Sequence, residues 1–158
     1  REGFKEFDWA AKHQASELVQ ISDLTGCLHN HSTYSDGKNT LAEMANYCRE
    51  LGFEYLGIAD HSKTASYARG LNEVRVAEQH VEIDQLNAQY ALGDKPFKIL
   101  KGIESDILGD GSLDYDEEVL KSFDYIVASV HQNLKMTEEK AAALIMAARN
   151  IVWFSEEN

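Results

Sequence analysis

Two histidines one residue apart, His29 and His31, stand in a chain that carries two more at the ends of later apolar runs, His61 and His131. A glutamate, Glu104, lies in a third such run, Gly102-Ile103-Glu104-Ser105-Asp106. Imidazoles and carboxylates are the groups that hold zinc, manganese or iron, and a shared carboxylate is common where two ions sit together. Residues i and i+2 of a strand share a face, so His29 and His31 can aim at one point. If the runs are parallel strands, all four histidines fall at carboxyl ends. In an α/β barrel those ends converge on one face, and residues about 100 positions apart become neighbours. One histidine at a strand end is more often a packing or capping residue. Four at the same end of successive strands point to a metal or catalytic cluster.

The residues around these positions divide between chemistry and scaffolding. Asp36 precedes Gly37 in the stretch Ser32-Thr33-Tyr34-Ser35-Asp36-Gly37, where it either makes a turn or reaches back over the site as a ligand. Asp60 points to the strand face opposite His61, which suits support or packing better than ligation. Cys27 is in phase with His29 and His31 and is best read as a small buried thiol. His13 and His80, in linker or helical context, are expected at the surface. Tyr34 could stack on a base, and Lys63, Arg69 or Lys101 could contact phosphate; a plain surface role suits each as well.

The elements that must position these groups alternate. Strands are expected at Gly26–His31, Tyr55–His61, Lys98–Ile107 and Tyr125–His131, with a weaker one at Ile151–Phe154. Helices are expected at Thr40–Leu51, Glu73–Tyr90, Asp116–Ser122 and Thr137–Arg149. Thr40 with Glu43 three residues on is a capping-box pattern, and Gly52 is a stop signal. Asp110-Gly111 marks a turn between Ile107 and Leu113. Strand and helix in units of about 30 residues mean βαβ repetition and a mainly parallel sheet, hence an α/β fold. The absence of Gly-x-Gly-x-x-Gly after the first strand disfavours a dinucleotide-binding unit. Residues 1–22, polar with a few aromatic anchors (Phe4, Phe7, Trp9), read as a lead-in helix or linker, and residues 23–158 as the domain proper.

Composition narrows the partners. The chain has 158 residues, 44% hydrophobic and 27% charged, which suits one globular domain. Its formal charge of −12 weighs against gripping nucleic acid or an anionic membrane with protein charge alone, but leaves room for a phosphate substrate held through bound cations. Two cysteines cannot make a disulfide scaffold, no apolar run approaches a membrane span, and the first residues do not read as a signal peptide. A cytoplasmic setting is the expectation.

The strings Leu28-His29-Asn30-His31-Ser32-Thr33-Tyr34-Ser35-Asp36-Gly37, Ile58-Ala59-Asp60-His61-Ser62, Lys101-Gly102-Ile103-Glu104 and Ala128-Ser129-Val130-His131 together resemble the PHP (polymerase and histidinol phosphatase) family. The chain is most similar to the carboxy-terminal PHP domain of bacterial family X DNA polymerases, from its first residues to about Ala142. That resemblance implies a distorted, TIM-like (β/α)7 barrel with a trinuclear site of divalent ions, zinc or manganese and in some cases iron. It implies that His29 and His31 bind one ion, that Glu104 bridges it to a second held by His131, and that Asp36 and His61 bind a third.

Two features depart from the family pattern. Cys27 stands where this subfamily usually has an aspartate. Three further ligands on later strands have no counterpart here, since no histidine follows His131. The chain is therefore expected to hold only the amino-terminal part of the barrel, with the rest absent, rebuilt, or supplied in trans by an oligomer. The implied activity is phosphoester hydrolysis at DNA 3′ ends, as a 3′–5′ exonuclease or 3′-phosphatase in DNA repair, beside a polymerase domain on its amino-terminal side. The alternatives are a small-molecule phosphatase of histidinol-phosphate type and a metal-stabilised structural domain without activity.

Overall fold

The computed structural model describes residues 5–13, 18–93, 95–132 and 135–149. Each expected strand among them forms, but two apolar runs bend at mid-length. Strand β1 covers Gly26–Asn30. The run Tyr55–His61 divides at Ala59 into β2 (Tyr55–Ile58) and β3 (Asp60–His61). The run Lys98–Ile107 divides at Lys101 into β4 (Lys98–Leu100) and β5 (Gly102–Asp106). Strand β6 is Tyr125–Ser129. The strand expected at Ile151–Phe154 lies outside the described residues.

The helices are α1 (Glu6–Ala10), α2 (Leu41–Glu50), α3 (Glu73–Tyr90), α4 (Glu117–Leu120) and α5 (Glu138–Arg149). Their ends follow local chemistry. The Thr40 side chain accepts from the Glu43 amide while the Glu43 carboxylate accepts from the Thr40 amide, and Gly52 leaves α2 at φ 81°. The Asn72 side chain accepts from the Arg75 amide to cap α3, and the Asp116 side chain accepts from the Val119 amide to cap α4. The Asp110-Gly111 turn is present, with Gly111 at φ 89° and Ile107 bridging antiparallel to Leu113. The lead-in is less anchored than its aromatic residues suggest. Phe7 is exposed on α1, and Trp9 stacks on the His13 ring at 4.5 Å.

All strand pairs are parallel, in two three-stranded sheets ordered β1-β2-β4 and β3-β5-β6. The (β/α) barrel, expected here only in part, is not closed by the described residues. Closure needs every strand to have two hydrogen-bonded neighbours, and β1 and β6 each have one. The bends at Ala59 and Lys101 let each long run serve first one sheet and then the other.

The core has two parts. One joins α2 and α3 to β2 and β4 through Leu41, Ala45, Leu56, Ile58, Ile83 and Ile99. The other gathers Leu71, Val76, Ile103, Leu113, Tyr115 and Leu120 around β5. Each fully buried aliphatic side chain contributes about 1.5–3 kcal/mol of burial. The outer side of β4 is met by the Asn87 amide, which accepts from the Ile99 N–H at 2.7 Å and donates to its carbonyl at 2.9 Å. A side chain of α3 thus stands in for a neighbouring strand.

Candidate metal centre

The carboxyl ends of β1, β3, β5 and β6 bring four imidazoles around one carboxylate. His61 and Glu104 are register partners on β3 and β5, so their side chains rise from the same face. Glu104 Oε2 lies 3.3 Å from His29 Nε2, 3.3 Å from His31 Nε2 and 3.3 Å from His61 Nδ1, and Oε1 lies 3.2 Å from His131 Nε2. Asp36 sits on the other side of His31 and His61, with Oδ1 3.0 Å from His31 Nδ1 and Oδ2 3.7 Å from His61 Nε2. All six site residues read from the sequence meet here. They form three overlapping sets: His29, His31 and Glu104; His31, Asp36 and His61; His61, Glu104 and His131.

His29 arrives by a route the strand pattern does not contain. The expected strand through His31 ends at Asn30, and its register slips between Cys27 and Asn30. His29 occupies the left-handed region at φ 61°. Such a conformation is costly for a residue with a β-carbon and marks a bulge that re-aims its side chain. The His29 N–H is held by the Tyr125 hydroxyl at 3.3 Å, which itself donates to the Ile58 carbonyl at 2.8 Å.

Protein hydrogen bonds alone do not satisfy the cluster. A carboxylate oxygen offers about two lone pairs, yet three imidazole nitrogens press on Oε2. His61 Nδ1 is buried without a hydrogen-bond partner despite its 3.3 Å approach. A nitrogen lone pair aimed into a nest of imidazole and carboxylate donors is the arrangement that a divalent cation completes. The residues therefore fit a divalent ion, and this set of donors does not single out one metal.

Electrostatics favour the ligating charge state at Glu104, Asp36 and His61. Burial works against the Glu104 anion, but hydrogen bonds from His29 and Ser129 and the charges of His61 and His29 hold its pKa below the usual range. Burial likewise opposes the Asp36 anion and is outweighed by the His31 hydrogen bond and the charges of His61 and His31. Burial, with the charge of His31, depresses His61. His131 runs the other way: burial is overcome by the hydrogen bond to Asp106 and by the Asp106 and Glu104 charges, which raise its pKa.

Around the clustered histidines and carboxylates lies a supporting layer of polar side chains. Asp60 is fully buried behind the site, as its strand face implied, and accepts from five donors. These are Ser32 N–H (2.7 Å), Ser32 Oγ (2.7 Å), Ser35 N–H (3.3 Å), Ser35 Oγ (2.5 Å) and Gln79 Nε2 (2.6 Å). Asp106 meets His131 Nδ1 at 2.5 Å and also accepts from Thr64 Oγ1 at 2.7 Å. Asp106 stands outside the six residues singled out above, although its i+2 spacing from Glu104 places both on one strand face. Cys27 is half-buried, and its sulfur lies 3.9 Å from that of Cys48 at the edge of the core.

Other expectations need correction. His80 is not a surface residue: its ring meets Phe123 edge-on at 4.9 Å and its Nε2 is buried without a partner. Tyr34 packs against both core clusters and donates to Glu82 at 2.8 Å, so its ring is not free to stack. Lys63 pairs with Glu73 at 2.7 Å and Lys101 with Asp84 at 2.6 Å. Arg69 makes no ion pair among the described residues.

Fold and site together define a parallel α/β protein whose strand ends carry a histidine–carboxylate cluster suited to divalent ions. The chain belongs to the PHP domain family, whose model matches residues 28–151. Membership brings with it the TIM-like arrangement of which the two parallel sheets are a part. The chain is 44% identical over 122 residues to the DNA polymerase/3′-5′ exonuclease PolX of Bacillus subtilis, a match covering 77% of this chain and 21% of that protein. It is 31% identical over 130 residues to a probable phosphatase of Acetivibrio thermocellus, covering 77% of this chain and 48% of that protein. The chain thus spans about a fifth and about half of these relatives. Among the described residues no helix is long and apolar enough to cross a membrane.

Proposed function

We propose that this chain is a metal-dependent phosphoesterase domain that processes DNA 3′ ends, as a 3′–5′ exonuclease or 3′-phosphatase. The observation that carries the reading is the convergence of four imidazoles and Asp36 on Glu104, in three sets that share members. In the proposed assignment His29 and His31 hold one ion with Glu104, Glu104 and His131 hold a second, and Asp36 and His61 hold a third. Zinc and manganese are the candidate ions, with iron a third candidate. When bound, such ions lower the pKa of water and offset charge on phosphoryl oxygens.

The chain's own groups prepare that chemistry. In the proposed site Asp106, 2.5 Å from His131 Nδ1, would accept that nitrogen's proton and so turn the Nε2 lone pair toward the ion beside Glu104. Asp36 orients His31 in the same way from the opposite side. Glu104, buried and held ionised, faces both halves of the cluster. The likeness to the PolX exonuclease supports a DNA end as substrate and a polymerase domain in the full-length protein. The likeness to the probable phosphatase supports a second reading, hydrolysis of a small phosphomonoester.

Elemental analysis after reconstitution in zinc or manganese, with hydrolysis assays on a 3′-phosphorylated oligonucleotide and on histidinol phosphate, tests both. Wild type is expected to hold a transition metal and to prefer the oligonucleotide. Glu104→Gln is expected to lose most of the metal and at least 100-fold in rate. A preference for histidinol phosphate would favour the second reading. Bound metal without turnover of any phosphoester would leave a structural domain, and wild type without metal would refute the site.

A further inference from the structure

The segment from Ser62 to Leu71 closes a tight loop directly after His61. Its ends pair in a parallel bridge, and the Leu71 N–H donates to the His61 carbonyl at 2.8 Å. Ala65 and Ala68 are buried, and Gly70 lies so close to the Ser62 carbonyl that a β-carbon there would come within 1.8 Å of it. Thr64 is gripped by Asp114 through its N–H (3.0 Å) and hydroxyl (2.8 Å), and the Tyr115 hydroxyl donates to the Leu71 carbonyl. Arg69 is held in the left-handed region at φ 57°. The surrounding contacts thus overdetermine a conformation that is strained at Arg69.

What this frame presents is Tyr67. Its ring is 68% exposed and stands edge-on to His61 at 5.9 Å and to His131 at 6.4 Å. Its hydroxyl has no hydrogen-bond partner among the described residues. An exposed tyrosine needs no explanation by itself. One set against the clustered histidines, two residues before an exposed Arg69 that makes no ion pair among the described residues, does. A pre-ordered aromatic face loses little entropy on receiving a flat ligand, and nucleobases stack on such faces with little regard to sequence.

We propose that Tyr67 is a substrate-contacting residue whose ring stacks on the nucleobase next to the scissile phosphoester, with Arg69 beside it for the adjoining phosphate. The inference rests on the proposed phosphoesterase reading and adds the element that separates nucleotide phosphoesters from simple alkyl phosphates.

The test compares two 3′-phosphorylated oligonucleotides that differ only at the terminal nucleotide, one carrying its base and one abasic, with manganese-loaded protein. Wild type is expected to show a KM about tenfold lower for the base-bearing end, equivalent to about 1.4 kcal/mol, with similar kcat. Tyr67→Ala should bring the two KM values together by raising the KM of the base-bearing end, with metal content as in wild type. Tyr67→Phe should keep the preference, because the ring and not the hydroxyl makes the contact. Turnover with the preference intact in Tyr67→Ala, or with it lost equally in Tyr67→Phe, would overturn the stacking role alone. Wild type that hydrolyses neither oligonucleotide would overturn this inference together with the function on which it rests.

Discussion

His80 shows how a single titratable group can be misplaced by its own helix. Its place on α3 between Gln79 and Val81 gives no sign of burial, but Phe123, which arrives after α4, covers its ring and leaves Nε2 buried. Burial and the charge of Lys101 depress its pKa, against the pull of Asp84 and Asp124. The unfolded chain therefore takes up this proton first as pH falls through about 6.5. Protonation favours unfolding, so stability is complete above about 6.5 and is lost as pH falls toward the lower folded value. Melting temperature should drop between about pH 7.5 and pH 5, and the drop should be smaller in His80→Phe, where His61 still contributes its own share. Parallel curves for the two proteins would refute the assignment. Asp106 is the opposite case. Its place beside Glu104 was legible from i+2 spacing, whereas its contact with His131 depends on how far the chain turns after β6.

At the scale of elements, the turn Ser32–Gly37 determines where Asp36 stands, and that turn is built on Asp60. Five donors converge on a carboxylate with no access to water, and Gly37 closes the turn where a β-carbon would come within 2.1 Å of the His31 carbonyl. The strand pattern correctly turned Asp60 away from the cluster. It could not reveal that the face opposite the site is where the Ser32–Gly37 turn is anchored, because serine donors 28 and 25 residues upstream carry no periodic signal. Helix ends were legible through Thr40, Glu43 and Gly52, since capping is local. The bends at Ala59 and Lys101 were not, since a run of apolar residues looks the same whether it stays in one sheet or passes between two. Asp60→Asn keeps the shape and removes the charge, replacing strong acceptor bonds with a mismatched amide. It should cost about 2–3 kcal/mol in urea denaturation and lower metal content through displacement of Asp36. Unchanged metal stoichiometry would show that Asp36 is positioned independently of Asp60.

At the scale of the whole molecule, the two sheets are joined by side chains as well as by the bent strands. Tyr125 rises from β6 in one sheet, and its hydroxyl donates to Ile58 of β2 in the other while accepting from His29 of β1. At Gly102 a β-carbon would come within 2.4 Å of its ring, and at Gly57 within 2.6 Å of its hydroxyl oxygen. Glycine at these two positions leaves the space the tyrosine occupies. The tyrosine therefore couples the curvature of the fold to the strained backbone at His29, and fold and site should separate in two variants. Tyr125→Phe keeps the ring against Gly102 and removes the bridge, leaving the His29 N–H and the Ile58 carbonyl unpaired at a cost of about 1 kcal/mol. Its far-ultraviolet spectrum should match wild type while its affinity for a divalent ion at the proposed His29–His31 position falls. Tyr125→Ala also empties the space between the sheets and should cost roughly 2–3 kcal/mol, below the full value for a completely buried aromatic. Denaturation midpoints and chelator competition on both proteins measure the two effects. Equal metal affinity in Tyr125→Phe and wild type would mean that the bulge at His29 holds its geometry without the tyrosine.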